Sequence, residues 1–584
     1  MRAPRILRSG VVVAALAVTS IVVTTTGGVA STAPPEREGP RGTANWSPCF
    51  QREQAELATF YPPELGLPTF ECTTVQVPLD HDEPRGGTIS ISMVRLPALD
   101  PANRIGSLFL NPGGPGGSGV EFAVFGAPFL YSLELRKKFD VIGFDPRGIG
   151  RSTALKCFGN VNQAEQFFAE YPVVAFPRDA AEAESVAAHE QQLSDRCDQR
   201  GNKVLGHMST ANVARDLDLL RHAVGDEQLT YAGYSYGSYL GVTYANLFPE
   251  RVRALIVDGV LNPVDWSTGD PGEENVPFSS RLRSNIGAQD TLEEFFRLCD
   301  AAGPPACALA PDAGDRFQAL AEALLDDEPV VVTVPAGPDG ELVDFPVFYG
   351  DLIGMTLGGM YDSSVWPFVA RDLALLEATI AGNPPFEVSD SRFGETFAAY
   401  TAKRGFPRYF NFAEGFPAVA CADSDNPDSI SAWVAAAGGI DFDDYFRQLW
   451  TYASSPCLSF PADDDDRFVG PFDTPTANPV LVASTLYDPA TPVHGAYEVD
   501  ALLPNSGLLL VDGWGHTTLG ISGCASFFSE QYLITQDLPP NELVCPQDFD
   551  PFLGFGGPPG GGGGTEARLT ELRLEARSRF LTGG

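Results

Sequence analysis

Short apolar runs recur along the chain, and each is followed by a loop rich in glycine or polar residues. Ser107–Leu110 and Phe139–Phe144 are largely apolar, which is typical of strands buried on both faces of a parallel sheet. Thr88–Val94 alternates polar and apolar residues instead. Together with Thr73–Val77 it predicts an antiparallel pair that opens the sheet.

Later parts of the chain repeat the buried-strand pattern, with helical spacing between the strands. These further strands are predicted at Leu229–Tyr234, Arg253–Val260, Pro479–Tyr487 and Gly507–Val511. Helical spacing at Asn212–Val224 precedes the first of them. Strands that alternate with helices indicate an α/β fold with a mostly parallel central sheet.

A long insertion, residues 263–478, interrupts the strand pattern. Helices are predicted there at Thr291–Asp300, Asp315–Asp326, Val365–Ala381 and Ser429–Ala437, with a strand at Val330–Val334. An insertion of this length between strands of one sheet is too long for a loop, so we expect a separate, mainly helical lobe. Residues 31–262 and 479–550 then form the two parts of the core.

A Gly-x-Ser-x-Gly pattern, formed by Gly233, Ser235 and Gly237, lies between a predicted strand and a predicted helix. A serine on so sharp a turn projects its hydroxyl out of the sheet, and glycines are needed because a Cβ would clash. An ordinary loop is the alternative, but the flanking strand and helix favour a nucleophile at Ser235. A helix that begins at Tyr236 would direct its positive end at an oxyanion beside this serine.

A glycine-rich loop, Asn111–Gly119, follows the strand Ser107–Leu110. Its backbone N–H groups can approach a ligand closely, and loops at the carboxyl ends of strands carry the sites of α/β sheets. We expect an oxyanion hole formed by the amides of Gly114 and Tyr236. A flexible turn is the alternative, and a phosphate-binding loop is disfavoured because Gly-Lys-Ser/Thr is missing.

Two late strands lead into titratable residues. Asp488 follows Pro479–Tyr487, and His516 follows Gly507–Val511 after a short segment. Both therefore fall at the sheet edge that carries the serine, and the chain order Ser, Asp, His is the one this kind of fold uses.

A neutral imidazole can remove the proton of a serine hydroxyl, and a carboxylate fixes the tautomer of that imidazole. The predicted catalytic residues are therefore Ser235, Asp488 and His516. Asp512 is the alternative acid. His494 is the rival base, but it falls in a predicted helix. Thr491 could donate a hydrogen bond that orients the predicted acid.

Asp145 and Arg147 follow the strand Phe139–Phe144 and could be mistaken for catalytic groups. An acid and a base this close at a strand end more often pair with each other and brace the loop. We therefore expect a structural role for both residues. The insertion that follows is predicted to be helical around Ala180–Arg196.

These segments together resemble the secreted tripeptidyl aminopeptidases of actinobacteria, which are α/β-hydrolases related to the prolyl iminopeptidases. The motifs that carry the resemblance are Asn111–Gly119, Phe144–Ser152, Gly233–Gly241 and Val257–Val260. The similarity extends from about Trp46 to Asp548. It implies an α/β-hydrolase fold in which the inserted lobe is a cap over the serine, and it implies peptide substrates with a free N-terminus.

The resemblance also bears on the cap. It implies that cap carboxylates bind the α-amino group of the substrate, for which Glu273 and Glu274 are candidates, with an exposed acidic surface as the equal alternative. Cys421 and Cys457 stand where the family carries a cysteine pair. Phe460 replaces the usual tryptophan, which could alter the lining of the cleft without changing the chemistry.

Ten cysteines are present, none in a Cys-x-x-Cys spacing, which indicates disulfides in an exported protein rather than a zinc site or a redox pair. We predict nearest-neighbour pairing because each pair would then close a modest loop. The predicted pairs are Cys49–Cys72, Cys157–Cys197, Cys299–Cys307, Cys421–Cys457 and Cys524–Cys545.

The formal net charge of −38 disfavours nucleic acid and anionic membranes as partners and favours cationic ligands. Neither a cofactor nor a metal is expected from the motifs. The run Asp463–Asp466 lacks the spaced ligands and the glycine of an EF-hand, so it is predicted to be an exposed loop.

The two ends of the chain have their own composition. Residues 1–30 have the layout of a secretory signal, with three arginines before the apolar stretch Val11–Val23 and small residues up to Ala30. That stretch is shorter than the roughly 20 residues of a membrane span, which favours cleavage over a membrane anchor. Residues 551–584 are predicted to be a glycine-rich linker and a disordered tail that contains at most a marginal helix at Glu566–Leu581.

The residues thus predict a secreted serine hydrolase, and the resemblance implies that it releases tripeptides through an acyl-enzyme intermediate. Two alternatives stay open. One is a carboxylic ester or lipid hydrolase of the same fold. The other is a non-catalytic envelope-binding protein, against which the complete set of predicted catalytic residues argues.

Overall fold

The structure is a computed structural model of the 584-residue chain, and it describes residues 44–59, 61, 67–325, 328–336, 341–382, 411–555 and 577. The strands are β1 (Ser47–Cys49), β2 (Phe70–Pro78), β3 (Thr88–Leu96), β4 (Gly106–Asn111), β5 (Phe139–Phe144), β6 (Leu229–Tyr234), β7 (Val252–Asp258), β8 (Val330–Ala336), β9 (Glu341–Val347), β10 (Val480–Tyr487), β11 (Ser506–Trp514), β12 (Leu543–Pro546), β13 (Phe549–Asp550) and β14 (Gly554–Phe555).

Helices connect the strands and make up most of the cap. The α-helices are α1 (Gln51–Leu57), α2 (Gly119–Phe125), α3 (Ala127–Leu130), α4 (Leu133–Lys138), α5 (Val161–Ala169), α6 (Ala180–Arg200), α7 (Thr210–Ala223), α8 (Tyr236–Leu247), α9 (Pro263–Trp266), α10 (Phe278–Arg281), α11 (Ser284–Ala302), α12 (Ala313–Ala323), α13 (Tyr349–Met360), α14 (Trp366–Ile380), α15 (Phe412–Asp423), α16 (Ile430–Ala437), α17 (Arg447–Tyr452), α18 (Val493–Leu502) and α19 (Gly523–Thr535).

A ten-stranded sheet forms the core, in the order β1-β2-β3-β5-β4-β6-β7-β10-β11-β12. The first strands pair antiparallel up to β5, and every pair from β5 to β12 is parallel. This arrangement confirms the predicted α/β-hydrolase fold with its opening antiparallel pair. Parallel neighbours bring the carboxyl ends of β4, β6, β7, β10 and β11 to one edge, where the predicted site residues lie.

Alternate residues of the central strands enter two separate cores, one on each face of the sheet. Phe109 and Tyr231 pack on one face, whereas Leu108 and Leu110 pack on the other. Because helices cover both faces, β4, β5 and β6 are buried along their whole length. This explains why the sequence shows continuous apolar runs at these strands rather than alternation.

The cap has a third core of its own, built mainly by helices α11–α14, α16 and α17. Residues from the insertion after β5 share this core, namely Ala175, Phe176 and Ala183. The segment 175–183 thus packs with the cap, although it precedes the nucleophile corner in the chain.

Five disulfides connect the cysteines in the predicted nearest-neighbour order. Cys157–Cys197 ties the start of the insertion after β5 to its helix α6, and Cys421–Cys457 links α15 to the segment before the sheet resumes. Cys524–Cys545 joins α19 to the edge strand β12, as expected for the last helix.

Asp145 and Arg147 brace the loop after β5, but not by pairing with each other. The buried carboxylate of Asp145 accepts hydrogen bonds from Ser118 Oγ, at 2.6 Å, and from the N–H of Arg151, at 2.7 Å. The buried guanidinium of Arg147 binds both carboxylate oxygens of Asp216, at 2.8 and 2.7 Å. The partner of Arg147 comes from α7, which the local sequence did not indicate.

The run Asp463–Asp466 is not uniformly exposed, contrary to the prediction. Asp464 is buried, and it accepts hydrogen bonds from the N–H of Ser209, at 2.8 Å, and from Asn212 Nδ2, at 3.1 Å. The start of α7 supplies these donors, and it lies far away in the chain. One carboxylate of this acidic run is therefore buried and caps the start of α7.

The chain ends lie mostly outside the described residues. The predicted signal peptide falls there, as does the tail after Phe555 apart from Arg577. Arg577 is buried, which contradicts the expected disorder at this position. None of the helices in the described ranges is both long and apolar enough to cross a bilayer.

We expect the close approach of α2 to β5 to tolerate no side chain. A Cβ at Gly143 would lie 1.9 Å from the carbonyl oxygen of Gly119. Overpacking of this kind predicts that Gly143→Ala destabilises the protein by at least about 2 kcal/mol, measured by urea unfolding with far-UV circular dichroism.

Gly87→Ala is the matched control, because no described atom lies within 4 Å of the added Cβ. Its free energy of unfolding should change by less than about 0.5 kcal/mol. Equal stability of the two variants would contradict the tight packing of α2 on β5.

Candidate functional site

Ser235 sits on the tight turn between β6 and α8. Its backbone has φ 56° and ψ −126°, a conformation that side-chain-bearing residues rarely adopt. A Cβ at Gly233 would lie 2.1 Å from the carbonyl oxygen of Gly237, and a Cβ at Gly237 would lie 2.6 Å from that of Asn111. Both glycines are therefore required by the turn, as the sequence pattern predicted.

The glycine-rich loop packs directly against this turn. A Cβ at Gly113 would lie 2.8 Å from Ser235 Cβ and 3.0 Å from the backbone nitrogen of Tyr236. Gly114, at φ 110°, lines the same cleft as Ser235. The N–H of Tyr236 is the first of helix α8 and has no acceptor within its own helix. The structure thus brings Gly114 and Tyr236 to the side of the predicted nucleophile.

Asp488 and His516 form a buried hydrogen-bonded pair. His516 Nδ1 lies 2.9 and 3.0 Å from the two carboxylate oxygens of Asp488. The carboxylate also accepts hydrogen bonds from the N–H groups of Ala490, Thr491 and Thr517, at 2.9, 2.8 and 3.0 Å. Burial alone would raise the pKa of Asp488, but the histidine and these donors bring the pKa below its usual value.

Thr491 contributes to this pair in two ways. Its backbone N–H donates to Asp488, and its hydroxyl lies 3.4 Å from His516 Nδ1. The sequence suggested a hydrogen bond from Thr491 to Asp488, and the structure assigns that bond to the main chain.

Asp258, at the end of β7, links the serine turn to the histidine loop. Its carbonyl oxygen accepts the N–H of Ser235 at 2.9 Å, and its carboxylate accepts the N–H and the hydroxyl of Thr518, both at 2.8 Å. A Cβ on the next residue, Gly259, would lie 3.3 Å from His516 Cε1. Burial raises the pKa of Asp258 to about 6. The Val-Asp-Gly-Val motif contained this residue, but its role required the three-dimensional contacts.

The loop that carries His516 is fixed from two sides. On the cap side, the carbonyl oxygen of Tyr361 accepts the N–H of His516 at 2.9 Å, and Asp362 forms a β-bridge with Gly515. On the other side lies Arg577 of the tail. Its guanidinium donates to the carbonyl oxygen of His516 at 2.9 Å and also to those of Thr517 and Leu519. Sequence reasoning missed Arg577, because nothing in the sequence distinguishes it from the other arginines of the tail.

A cleft of about 1240 Å³, including its mouth, opens over Ser235. Its walls are largely aromatic and apolar, and they come from the insertion after β5, from the cap and from the loop that follows β10. Two polar side chains of α6, His189 and Glu190, also line it. Apolar walls with a few polar groups are typical of a small-molecule or peptide site.

Glu190 is a carboxylic acid that lines this cleft. Its side chain is buried, and Oε1 accepts hydrogen bonds from Tyr171 Oη and Ser455 Oγ, both at 2.8 Å. Oε2 has no hydrogen-bond partner among the described residues. Burial raises the pKa of Glu190 to about 7.

Four residues considered from the sequence lie elsewhere. Glu274 is exposed, and Glu273 accepts a hydrogen bond from the N–H of Asp270; neither lines the cleft. Asp512 is exposed on β11, which leaves Asp488 as the acid beside His516. Phe460 packs in a core of the sheet rather than in the cleft wall.

Two family models match the chain. The model of the alpha/beta hydrolase fold covers residues 106–278, and the model described as TAP-like protein covers residues 443–545. The two matches fall on the two parts of the sheet that the cap separates.

Full-length relatives are also similar. Serine protease Hip1 of Mycobacterium tuberculosis is 31% identical over 536 residues, which cover 89% of this chain and 93% of that protein. Carboxylesterase B of the same species is 30% identical over 492 residues, covering 82% and 86%. Tripeptidyl aminopeptidase of Streptomyces coelicolor is 28% identical over 491 residues, covering 81% and 83%. The chain therefore belongs to the tripeptidyl aminopeptidase family of α/β-hydrolases, and it is a serine hydrolase.

Proposed function

We propose that this protein is a secreted serine exopeptidase that removes short peptides, most often tripeptides, from free N-termini. The observation that carries the proposal is the buried carboxylate of Glu190, which lines the same cleft as Ser235 and has one oxygen without a partner among the described residues. A carboxylate placed in this way can hold the α-ammonium group of a peptide while its carbonyl lies at the serine.

The proposed chemistry uses Ser235, His516 and Asp488. The serine Oγ attacks the scissile carbonyl carbon while His516 Nε2 takes the hydroxyl proton, and Asp488 holds Nδ1–H and stabilises the imidazolium. The tetrahedral oxyanion is stabilised by the N–H groups of Gly114 and Tyr236. Collapse of the intermediate transfers the proton to the leaving amine and leaves an acyl-enzyme on the serine. Water, activated by the same imidazole, then releases the short peptide.

The hydrogen bonds of Glu190 support a cationic partner. Both protein donors go to Oε1, so the buried Oε2 has no donor among the described residues, and we propose that a substrate amine supplies one. A buried carboxylate oxygen without a donor is costly, and an ammonium group supplies donors and a compensating charge at once. An aromatic, largely apolar cleft strengthens this attraction because it excludes water.

The position of the amine would also set the length of the released fragment. An extended peptide spans about 3.3–3.6 Å per residue, so three residues reach roughly 10 Å. The α6 wall and the serine turn are separate walls of one cleft. We propose that the span between them admits a tripeptide and that the cap excludes longer chains on the amine side.

Secretion is proposed from the disulfides and the leader together. Five disulfides are typical of proteins that fold outside the cytoplasm. The three-part pattern of residues 1–30 is that of a secretory signal, which would direct the export of the chain.

The defining experiment is mass spectrometry of the products from matched free and N-acetylated peptides. We expect three-residue fragments from the free peptides only, and no product from either set with Ser235→Ala. Cleavage of acetylated peptides, or cuts in the interior of the chain, would contradict an exopeptidase.

The second candidate function is carboxylic ester hydrolysis, which the similarity to carboxylesterase B favours. It predicts rapid turnover of p-nitrophenyl esters without release of tripeptides from free peptides. If Ser235 of this protein fails to react with a fluorophosphonate probe, the remaining alternative is a non-catalytic binding protein that has kept the fold.

We predict that Glu190→Gln lowers kcat/KM for free tripeptide anilides by roughly 30-fold or more, because an interfacial ion pair is lost. Turnover of a p-nitrophenyl ester, which has no amine, should stay within about twofold because the serine chemistry is intact. Glu274→Gln is the matched control. It removes an exposed carboxylate of the acidic surface and should leave both rates unchanged.

The pH dependence of kcat/KM provides a second test of the interaction between Glu190 and the substrate amine. With its pKa raised to about 7, Glu190 is neutral below that pH and pairs poorly with an ammonium group. The ratio of anilide to ester kcat/KM should therefore rise with pH through about 7, and it should fall again as the α-amino group deprotonates near 8. The rise should be absent in Glu190→Gln. A rise that persists in this variant would contradict the assignment.

Arg577 is proposed as a positioning residue for His516. Its three carbonyl acceptors lie in the loop that carries the histidine, so removal of the guanidinium should loosen that loop. We expect Arg577→Met to lower kcat by roughly 10-fold or more with little change in KM, since small misplacements of catalytic groups are costly.

Low millimolar guanidinium chloride should restore part of the rate by filling the vacated site. Arg579→Met, which removes the same charge from the same tail, is the control and should behave as the unchanged protein. A loss in Arg577→Met that appears in KM alone, or that guanidinium does not relieve, would refute the positioning role.

A further inference from the structure

Three potential ligands meet at the junction of the cap and the sheet, outside the cleft. Asp265 lies on α9, the first helix after the sheet gives way to the cap, and His494 and Glu498 lie on α18. The spacing of four residues puts the last two on one face of their helix. One ligand atom from each of the three side chains lies within 4.8 Å of the others.

A glycine allows the two helices to approach. Gly495 follows His494, and a Cβ there would lie 2.7 Å from the carbonyl oxygen of Val260. Helix α18 can therefore rest directly on the segment that leads into α9. This contact brings His494 and Glu498 to Asp265 from a distant part of the chain, which is why no sequence motif indicated the group.

The carboxylate of Asp265 is the strongest indication of a cation site. Its residue is 3% exposed, and Oδ2 is buried without a hydrogen-bond partner among the described residues. The guanidinium of Arg281 is close, but it donates to the carbonyl oxygen of Asp265 and to three other carbonyls, not to the carboxylate. Buried carboxylate oxygens normally have donors or bind a cation.

The surroundings add negative charge. Glu498, Glu273 and Asp270 each place negative charge near Asp265. The positive charge of Arg283 opposes them, but its side chain is exposed. Asn262 donates to Glu498 Oε2 at 2.7 Å, and its own side-chain oxygen accepts the N–H of Val264. The asparagine is thus fixed by the start of α9, and it orients Glu498 as outer partners orient metal ligands.

We propose that Asp265, His494 and Glu498 bind a divalent transition-metal ion of the zinc class. One imidazole and two carboxylates are ligands that zinc accepts, with water in the fourth position. The imidazole argues against calcium and magnesium, which prefer oxygen ligands alone. Donor atoms around tetrahedral zinc lie about 3.4 Å apart, so small side-chain rotations from the present separations would close the site.

The ion would act as a structural cross-link. Helix α9 leads from β7 into the cap, and α18 follows the loop that carries Asp488 and Thr491. A metal that joins these helices ties the base of the cap to the loop behind the catalytic acid. Because it binds the folded state, it should raise the melting temperature in proportion to the logarithm of the free metal concentration.

The test titrates Zn²⁺ into chelator-treated protein and follows heat release and the melting temperature, with Co²⁺ as a second probe whose visible absorption reports nitrogen and oxygen coordination. We expect one tight site per chain. His494→Ala and Asp265→Asn should each weaken Zn²⁺ binding by about 100-fold or more. Asp265→Asn keeps the shape of the side chain, and far-UV circular dichroism checks that both variants are folded.

The chain offers a matched control. Asp80, His207 and Asp466 form another group with comparable separations, but all three are partly exposed. His207→Ala should leave the tight site unchanged. The proposal is overturned if no site of one-to-one stoichiometry is found, if Asp265→Asn and His494→Ala bind as the parent does, or if His207→Ala removes the binding.

Discussion

The structure depends on keeping one fully buried carboxylate, Asp488, charged at the edge of the sheet. Asp258 provides the comparison, because it is also buried and lies at the end of the neighbouring strand. Two donor groups of Thr518 reach Asp258, and its pKa is raised to about 6. Three backbone N–H groups and His516 reach Asp488, and its pKa is lowered. The number and charge of the donors thus set which of the two buried acids has the lower pKa.

The donors of Asp488 come from turns that other parts of the molecule hold in place. Thr517 belongs to the histidine loop, which is fixed by Tyr361 of the cap and by Arg577 of the tail. Burial lowers the pKa of Arg577, and the carboxylates of Asp362, Asp258 and Asp488 act in the opposite direction. Cap, tail and sheet are therefore coupled electrostatically through one loop. Changes in the cap could alter the chemistry without touching the cleft.

The sequence predicts what local geometry dictates and misses what distant contacts decide. The strands, the glycine-bounded turn at Ser235 and the Asp488–His516 pair follow from apolar runs and from the ends of parallel strands. The disulfides follow because neighbouring cysteines close short loops. The partner of Arg147, the burial of Asp464 and the place of Arg577 could not be predicted, because each depends on which remote backbone groups need a donor or an acceptor.

The same distinction explains why the sequence offered Glu273 and Glu274, which do not line the cleft, and not Glu190, which does. Glu273 and Glu274 stand in an acidic stretch of the cap, and composition cannot tell an exposed acid from a buried one. Glu190 lies in a polar helix that precedes the nucleophile in the chain, and it reaches the cleft because the segment around Phe176 packs into the core of the cap.

The carboxylate of Glu190 is held rigidly by helix α6 and by two hydrogen bonds to one of its oxygens. With a pKa near 7 it lies near the balance between its neutral and charged forms before substrate arrives, and an ammonium group would favour the charged form. In the proposed function, a free N-terminus would be selected because its ammonium group offsets the desolvation of ionised Glu190, which an acetylated N-terminus cannot do.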